Sequence, residues 1–181
     1  MRRLLLFAIS ASSLALAAQE TRHIVAHPAD PAGDARPNSS AVPDVSVVSS
    51  RLQRIVVLRF KYNTDLLAAL RKSISEQKIQ NAVILSGFGS VRNYQVHQVA
   101  NRDFPVKESW VQDPTAPADI IGMSGFVSAG RVHPHIVLAN QDHAFGGHLE
   151  PGTTVFTFAV VTLGVLDSQI DLSKFDDWNY R

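Results

Sequence analysis

Four of the seven histidines lie in one segment, RVHPHIVLANQDHAFGGHLEPGT, residues 131–153. Side chains at positions i and i+2 of a β-strand point to the same face, so His133 and His135 would present two imidazole rings side by side, close enough to bind one metal ion. Pro134 between them cannot donate a ladder hydrogen bond, which predicts a strand edge or a bulge here. The same spacing also fits ordinary polar strand residues, so a third ligand is needed to favour a metal site.

A third imidazole can reach this pair only if the chain folds back over the same face. Asn140 to Asp142 have turn composition, and the FGGH sequence that follows would then deliver His148. Gly146 and Gly147 would permit the close backbone approach that this requires. Three nitrogen ligands suit zinc and keep a fourth coordination position open for water or a small molecule. The predicted site is therefore a divalent metal site, with zinc as the metal, formed by His133, His135 and His148.

The first 18 residues have the features of an export signal. Arg2 and Arg3 supply a positive start, an apolar run follows, and Ala15-Leu16-Ala17 is a small-residue cleavage site. A membrane-spanning helix needs about 20 apolar residues, whereas this run is shorter and contains three serines. We therefore expect cleavage near residue 18 and a secreted or periplasmic protein without a transmembrane segment.

Composition argues against nucleic-acid binding and against thiol chemistry. The chain has 17 basic and 16 acidic residues, and cleavage of the signal would remove two of the basic ones. No run of Lys and Arg occurs that could neutralise a series of phosphates, so nucleic acid is not an expected partner. Cysteine is absent, which excludes disulfides, cysteine nucleophiles and thiolate metal ligands.

Three regions follow the predicted signal. Residues 19–50 contain four prolines among small and polar residues, a composition that cannot bury enough apolar surface to order the chain, and they are predicted to be a disordered linker. Residues 51–166 are predicted to form one domain, and residues 167–181 a C-terminal tail.

Within the domain, β-branched and aromatic runs predict strands, and one apolar stripe predicts a helix. Asp65 favours the first helical turn, and leucines and an isoleucine recur at helical spacing up to Ile74. The predicted strands are 55–60, 82–86, 94–99, 120–127, 131–138 and 154–163. Many strands with one main helix, and no regular alternation of the two, favour an α+β fold with a mostly antiparallel sheet.

The connections between these strands are predicted from turn residues. The GFGS sequence at 87–90 is predicted to turn the chain, and the polar, proline-containing residues 101–117 to form an exposed loop. His143 is predicted to be a loop residue, because nothing in the pattern fixes the direction of its side chain.

The chain resembles the PPC domain, named for its conservation in plants and prokaryotes. The resemblance covers about residues 51–166. The segments that carry it are IVVLRF, DLLAAL, AVILSGFGSVRN, GMSGFVS and HPHIVLANQDHAFGGHL. It implies an α+β sheet domain, usually a homotrimer, and bacterial and archaeal members that bind metal through the positions occupied here by His133, His135 and His148.

The plant members of this family bind DNA, but the resemblance attributes that activity to a separate AT-hook with an Arg-Gly-Arg core. No such motif occurs in this chain. The PPC part of those plant proteins serves assembly, so a DNA-binding role does not follow from the family alone.

The histidine segment is also distantly similar to that of acetolactate decarboxylase, a zinc enzyme with a His-x-His pair before Phe-Gly-Gly-His. This similarity implies a metal that polarises the oxygens of a small keto or hydroxy acid. Arg92 could then bind the carboxylate of a ligand, and Glu150 or Asp142 could transfer protons. A surface arginine and solvated loop acids are the ordinary alternatives for these residues.

Three functions therefore remain open. The first is an exported, trimeric zinc-binding protein that holds a small anionic molecule. The second is a zinc-dependent enzyme, decarboxylase-like or hydrolase-like, that acts on a small keto or hydroxy acid. The third is a metal-free assembly module or DNA-associated protein, as in the plant members.

Overall fold

A computed structural model of the chain describes residues 21–26 and 31–181. The predicted export signal, residues 1–18, lies outside the described residues. Within these residues there are two α-helices, α1 (Pro31–Asp34) and α2 (Leu66–Glu76). The same residues contain eight strands, which are β1 (Thr21–Ala26), β2 (Leu52–Lys61), β3 (Ala82–Val99), β4 (Lys107–Asp113), β5 (Ala118–Ser128), β6 (Arg131–Ala139), β7 (Ala144–Leu149) and β8 (Thr154–Leu166).

All described strand pairings are antiparallel, which confirms the predicted α+β fold with one main helix. Helix α2 begins where Asp65 accepts a hydrogen bond from the Ala68 amide at 2.8 Å, which satisfies one of the free N–H groups of the first turn. Its apolar stripe is fully buried against β2, β3 and β8. The opposite face of these three strands carries exposed apolar side chains.

Strand β3 is the central element and corrects the predicted turn at 87–90. It runs for 18 residues through the GFGS sequence, with bulges rather than a reversal. Gly89 has φ +141°, and a Cβ there would lie 2.6 Å from Ala159 Cα of the neighbouring β8. These glycines allow strands to pack closely, a requirement set by neighbours that are distant in sequence.

The predicted exposed loop at 101–117 is also wrong in part, because Lys107–Asp113 forms β4. This strand pairs with the second half of β3 and places Val111 in the core. Prolines on both sides of the segment had suggested a loop, whereas residues 107–113 form a short strand with three buried residues, Glu108, Val111 and Asp113.

The regions on either side of the predicted domain contact it. Within the predicted linker 19–50, β1 pairs with β4 at the edge of the sheet through its backbone. At the other end, residues 167–181 fold back and form a 3-10 helix, Ser173–Asp176. Among the described residues, no helix is both long and apolar enough to cross a bilayer.

Four strands form a closed path, because β3 pairs with β5, β5 with β6, β6 with β7, and β7 again with β3. Pro134 pairs with Gly125 of β5 on one side, and β7 begins to pair with β6 only at the next residue, His135. Pro134 therefore lies where one side of β6 has no β7 partner, as expected for a residue without a backbone donor.

Candidate metal centre

The β-sheet register places three histidines in one row across adjacent strands. His148 of β7 pairs directly with His135 of β6 on one side and with His97 of β3 on the other. Directly opposed residues point to the same face of a sheet, so these side chains share one surface. His133 lies two residues before His135 and adds a fourth imidazole to that face.

The rings of the three histidines predicted from sequence lie close together. The ring of His148 is 4.8 Å from that of His133 and 5.6 Å from that of His135, measured between centroids. The Nε2 atoms of His133 and His135 are 3.1 Å apart. The hairpin of β6 and β7 thus brings the ring centroids of His133, His135 and His148 to within 5.6 Å of each other.

Two carboxylates hold the outer nitrogens of this group. Glu150 Oε1 accepts a hydrogen bond from His148 Nδ1 at 2.9 Å and another from His97 Nδ1 at 2.8 Å. Asp176, in the C-terminal 3-10 helix, pairs through Oδ1 with His133 Nδ1. Such pairing fixes the tautomer in which Nδ1 carries the proton, so Nε2 of His133 and of His148 carries a lone pair, and that of His133 faces Nε2 of His135.

His97 occupies the other side of His148. Its ring stacks on that of His148 at 4.7 Å and on that of Trp110 at 5.2 Å. Its Nε2 is 3.6 Å from Oε1 of the buried Glu108. The ring therefore lies between two carboxylates, those of Glu108 and Glu150.

The positions of these rings keep two of them neutral. Burial lowers the pKa of His135 below its ordinary value, and the neighbouring His133 and His148 lower it further. Burial also lowers the pKa of His148, assisted by His97 and opposed by the Glu150 carboxylate. Neutral imidazole is the form that binds metal, so both rings are in the ligand form at neutral pH.

Among the described residues, one group of side chains has ligand atoms close enough together to hold a metal ion. It consists of His97, His148 and Glu150, whose ligand atoms lie within 4.8 Å of one another. The group of His133, His135 and His148 stays a prediction. The two groups share His148 but use opposite nitrogens of its ring, since Nδ1 faces Glu150 and Nε2 is free of that contact.

Strand β7 can lie between β3 and β6 only because residue 147 has no side chain. A Cβ on Gly147 would overlap the carbonyl oxygen of His97 and lie 3.1 Å from Gln98 Cγ. We expect Gly147→Ala to lower the free energy of unfolding by about 2–4 kcal/mol, because a backbone atom of β3 would have to move. Urea denaturation monitored by circular dichroism measures the change.

The matched control is Gly122→Ala in β5, where a Cβ would meet no atom within 4 Å. This variant should change stability by less than about 1 kcal/mol. Equal effects of the two substitutions would show that β7 does not pack against β3 in the way described.

The side-chain hydrogen bonds of Arg92 are made with residues outside the histidine group. Its Nη1 donates to Tyr62 Oη at 2.8 Å and to Asn63 Oδ1 at 3.3 Å. Arg92 and His97 are five positions apart along β3, which corresponds to about 16 Å at the usual rise per strand residue. Ligand binding by Arg92 stays a prediction, and any ligand that it binds would lie away from the imidazoles of one subunit.

The structure adds His97, Glu108 and Asp176 to the site, and none of them was predicted. His97 was visible only as one polar residue in the alternating strand YQVHQV, and Asp176 as an acid in a tail. Of the two acids proposed as proton carriers, Glu150 joins the site, whereas Asp142 lies in the turn between β6 and β7.

The fold and the histidine row can now be compared with known proteins. The model of the Plants and Prokaryotes Conserved (PCC) domain matches residues 48–167. The chain belongs to this family. The resemblance to the PPC domain, which is the same family, is thereby confirmed.

Solved structures of similar proteins agree with this membership. A metal-containing protein from Archaeoglobus fulgidus superposes with a TM-score of 0.54 at 26% sequence identity, over 67% of this chain and 86% of that one. A PPC protein from Pyrococcus horikoshii superposes with a TM-score of 0.56 at 22% identity, over 70% and 89% of the two chains. A candidate DNA-binding protein from Bacteroides thetaiotaomicron, at 16% identity and a TM-score of 0.53 over 65% and 82%, shares the fold.

A curated relative contains a similar segment within a longer chain. The bifunctional protein GlmU from Synechococcus sp. (strain JA-3-3Ab) is 27% identical over 130 residues. The alignment covers 71% of this chain and 20% of that protein. The PCC-domain chain thus spans about a fifth of the length of this relative.

Proposed function

We propose that this PCC-domain protein binds one zinc ion through the Nε2 atoms of His133, His135 and His148 and offers the open coordination position to a small anionic ligand. The observation that carries the proposal is the convergence of these three rings with the Nδ1 atoms of two of them held by carboxylates. A metal-ligating histidine usually donates its other N–H to a carboxylate or carbonyl in this way.

One pair of donor atoms has the spacing that zinc requires. Two nitrogen ligands of a tetrahedral zinc ion, each at about 2.0–2.1 Å, are about 3.3 Å apart, and the Nε2 atoms of His133 and His135 are 3.1 Å apart. In the alternative group, Glu150 Oε1 already accepts hydrogen bonds from both Nδ1 atoms, which a metal there would have to displace. The group of His133, His135 and His148 is therefore the preferred one.

Metal analysis tests this proposal directly. We expect protein purified without a histidine tag to contain about one zinc ion per subunit by plasma mass spectrometry. Dialysis against a chelator should remove the ion, and addition of zinc should restore it. Protein that neither retains nor takes up zinc, manganese or nickel would instead support the metal-free assembly module.

A zinc enzyme is the second candidate, because the buried Glu108 and the partly buried Glu150 place carboxylates beside the ring of His97. Zinc would act as a Lewis acid on the carbonyl or carboxylate of a small keto or hydroxy acid. A panel of such acids, incubated with wild type and with His135→Ala, separates the two candidates. Metal-dependent turnover of any of them supports the enzyme, and binding without turnover supports the zinc-binding protein.

Trimer formation is part of the proposal and is supported by the exposed face of β2, β3 and β8. Large apolar side chains on this face include Val57, which is 64% exposed, and Phe88, which is 51% exposed. Phe158 lies beside Phe88 at 6.3 Å between ring centroids. A contiguous apolar surface of this kind is typical of a subunit interface.

We expect light scattering to give about three times the subunit mass, and Phe88→Glu to reduce it to that of a monomer, because a carboxylate would be buried in the interface. Val99→Glu is the matched control, since Val99 is 72% exposed at the other end of the same strand. A monomeric wild type, or dissociation by both variants, would contradict this assignment of the interface.

Export and the lack of a nucleic-acid partner complete the proposal. Sequencing the N-terminus of the protein from the periplasm or medium should give a start near residue 18. The fold is shared with a candidate DNA-binding protein, so a gel-shift assay with duplex DNA is the corresponding test. A shift at physiological salt would favour the DNA-associated alternative.

A further inference from the structure

The C-terminal segment supplies a carboxylate to the histidine group from outside the region that the family model matches. That model ends at residue 167, and Asp176 lies nine residues beyond it. Asp176 Oδ1 pairs with His133 Nδ1, and both side chains are partly shielded from water. The segment from residue 167 to 181 therefore contributes to the site. The contacts of this segment with the rest of the protein determine how firmly the Asp176 carboxylate is held beside His133.

The start of this segment is fixed by a buried amide. The Asn81 side chain, which is 4% exposed, donates from Nδ2 to the carbonyl oxygens of Asp167 at 3.1 Å and Ile170 at 2.9 Å. Leu172 is buried against the domain. A buried amide with its hydrogen bonds satisfied fixes the path of the chain up to the 3-10 helix.

The far end of the segment is fixed by Arg181. Its guanidinium donates to the carbonyl oxygen of Arg36 at 3.0 Å and to that of Asp34. Its own carbonyl accepts from the Ser39 amide at 2.8 Å, and its guanidinium lies 3.7 Å from the centre of the Phe104 ring. Because both ends are attached, the helix between them has little freedom to leave the sheet.

The middle of the segment packs beside the metal ligands. Phe175 lines an apolar cleft of about 340 Å³ together with Phe126 and Leu172. The ring of Phe126 in turn stacks on that of His133 at 6.0 Å. Phe175 thus lies next to the ring that stacks on His133, and Asp176 contacts His133 through its carboxylate.

We propose that Asp176 is a positioning residue of the metal centre, delivered by a C-terminal segment that is attached at both ends. Its carboxylate accepts the proton of His133 Nδ1, which holds the ring in the tautomer whose Nε2 lone pair faces His135 and the metal. Asp176 is not itself a ligand in this arrangement. The inference rests on the proposed zinc site and extends that site beyond the family domain.

The test compares Asp176→Ala and Asp176→Asn with Asp177→Ala, which removes the same charge from the next residue. Zinc affinity is measured by competition with a chromophoric chelator. We expect the two Asp176 variants to bind zinc about 10-fold to 100-fold more weakly, the usual effect of losing an outer-shell partner. Asp177→Ala should stay within about twofold of wild type.

A second measurement does not depend on zinc. Nitrogen-15 spectra of the imidazoles in zinc-free protein report which nitrogen of each ring carries the proton. We expect His133 to be protonated at Nδ1 in wild type and Asp177→Ala, and to become a mixture of tautomers in Asp176→Ala. The Asp176→Asn variant keeps the shape of the side chain. It therefore distinguishes the loss of the carboxylate that orients His133 from a displacement of the C-terminal segment.

The outcomes separate the two proposals. If wild type binds no zinc, the proposed function fails, and an unchanged His133 tautomer in Asp176→Ala then overturns the positioning role as well. If wild type binds zinc and the Asp176 and Asp177 variants bind equally well, the zinc site stands and the role of Asp176 is overturned.

Discussion

Replacing His135 with alanine is expected to weaken zinc binding by at least about 100-fold, more than the loss of an outer-shell partner costs. The reason is that His135 contributes one of the three proposed nitrogen ligands, with its Nε2 at 3.1 Å from that of His133. Isothermal titration of metal-free protein with zinc measures the change. His133→Ala and His148→Ala should give losses of the same order.

Two matched histidine variants make this result specific. His143→Ala removes a ring that contacts Phe145 in the turn region, and it should leave zinc affinity unchanged. His97→Ala removes a ring that stacks on His148, and it should cost at most about 10-fold, as an outer-shell residue. The opposite pattern, a severe loss in His97→Ala with little loss in His135→Ala, would place the metal between His97, His148 and Glu150.

The second large effect is the dependence of zinc binding on pH. Zinc competes with protons for imidazole nitrogens, so affinity falls once the ligands become protonated. Burial lowers the pKa of both His135 and His148 below the ordinary value. We therefore expect their protonation to weaken binding only below about pH 6.5, the ordinary histidine value. At lower pH the zinc affinity should fall more steeply, by up to about 100-fold per pH unit once both rings are protonated.

The stability of the zinc-free protein should depend on pH in the same direction as its zinc affinity. The unfolded chain protonates these two rings at a higher pH than the folded one, so the zinc-free protein should lose stability as pH falls below about 6.5. Once the pH is below the lowered pKa values of these rings in the folded protein, their protonation causes no further loss of stability. Zinc titrations and urea denaturation between pH 5 and 8 measure both quantities. A decline in affinity that begins above pH 7 would contradict the lowered pKa values.

Glu150→Gln is the informative variant for this pH profile. The Glu150 carboxylate raises the pKa of His148 against the larger effect of burial. Its removal should lower that pKa further and move the start of the decline to lower pH. The same variant should also weaken zinc binding at neutral pH, because the amide is a poorer partner for His148 Nδ1.

The sequence by itself determined the local part of the site. Alternation along β6 places His133 and His135 on one face, because side chains in a strand have a period of two. The turn at residues 140–142 and the glycines after it predict the return of the chain as β7. The stripe of α2 and the α+β class follow from the same short-range periodicities.

Only the tertiary structure decided which distant residues join this group. His97 lies beside His148 because β3 continues through the GFGS sequence and pairs with β7 at its far end. Asp176 reaches His133 because Asn81 fixes the start of the C-terminal segment and Arg181 fixes its end against Arg36 and Phe104. Neither contact can be predicted from the local sequence, because each depends on strand pairing or on anchoring across more than 40 residues. The His-x-His pair, in contrast, is determined within a single strand.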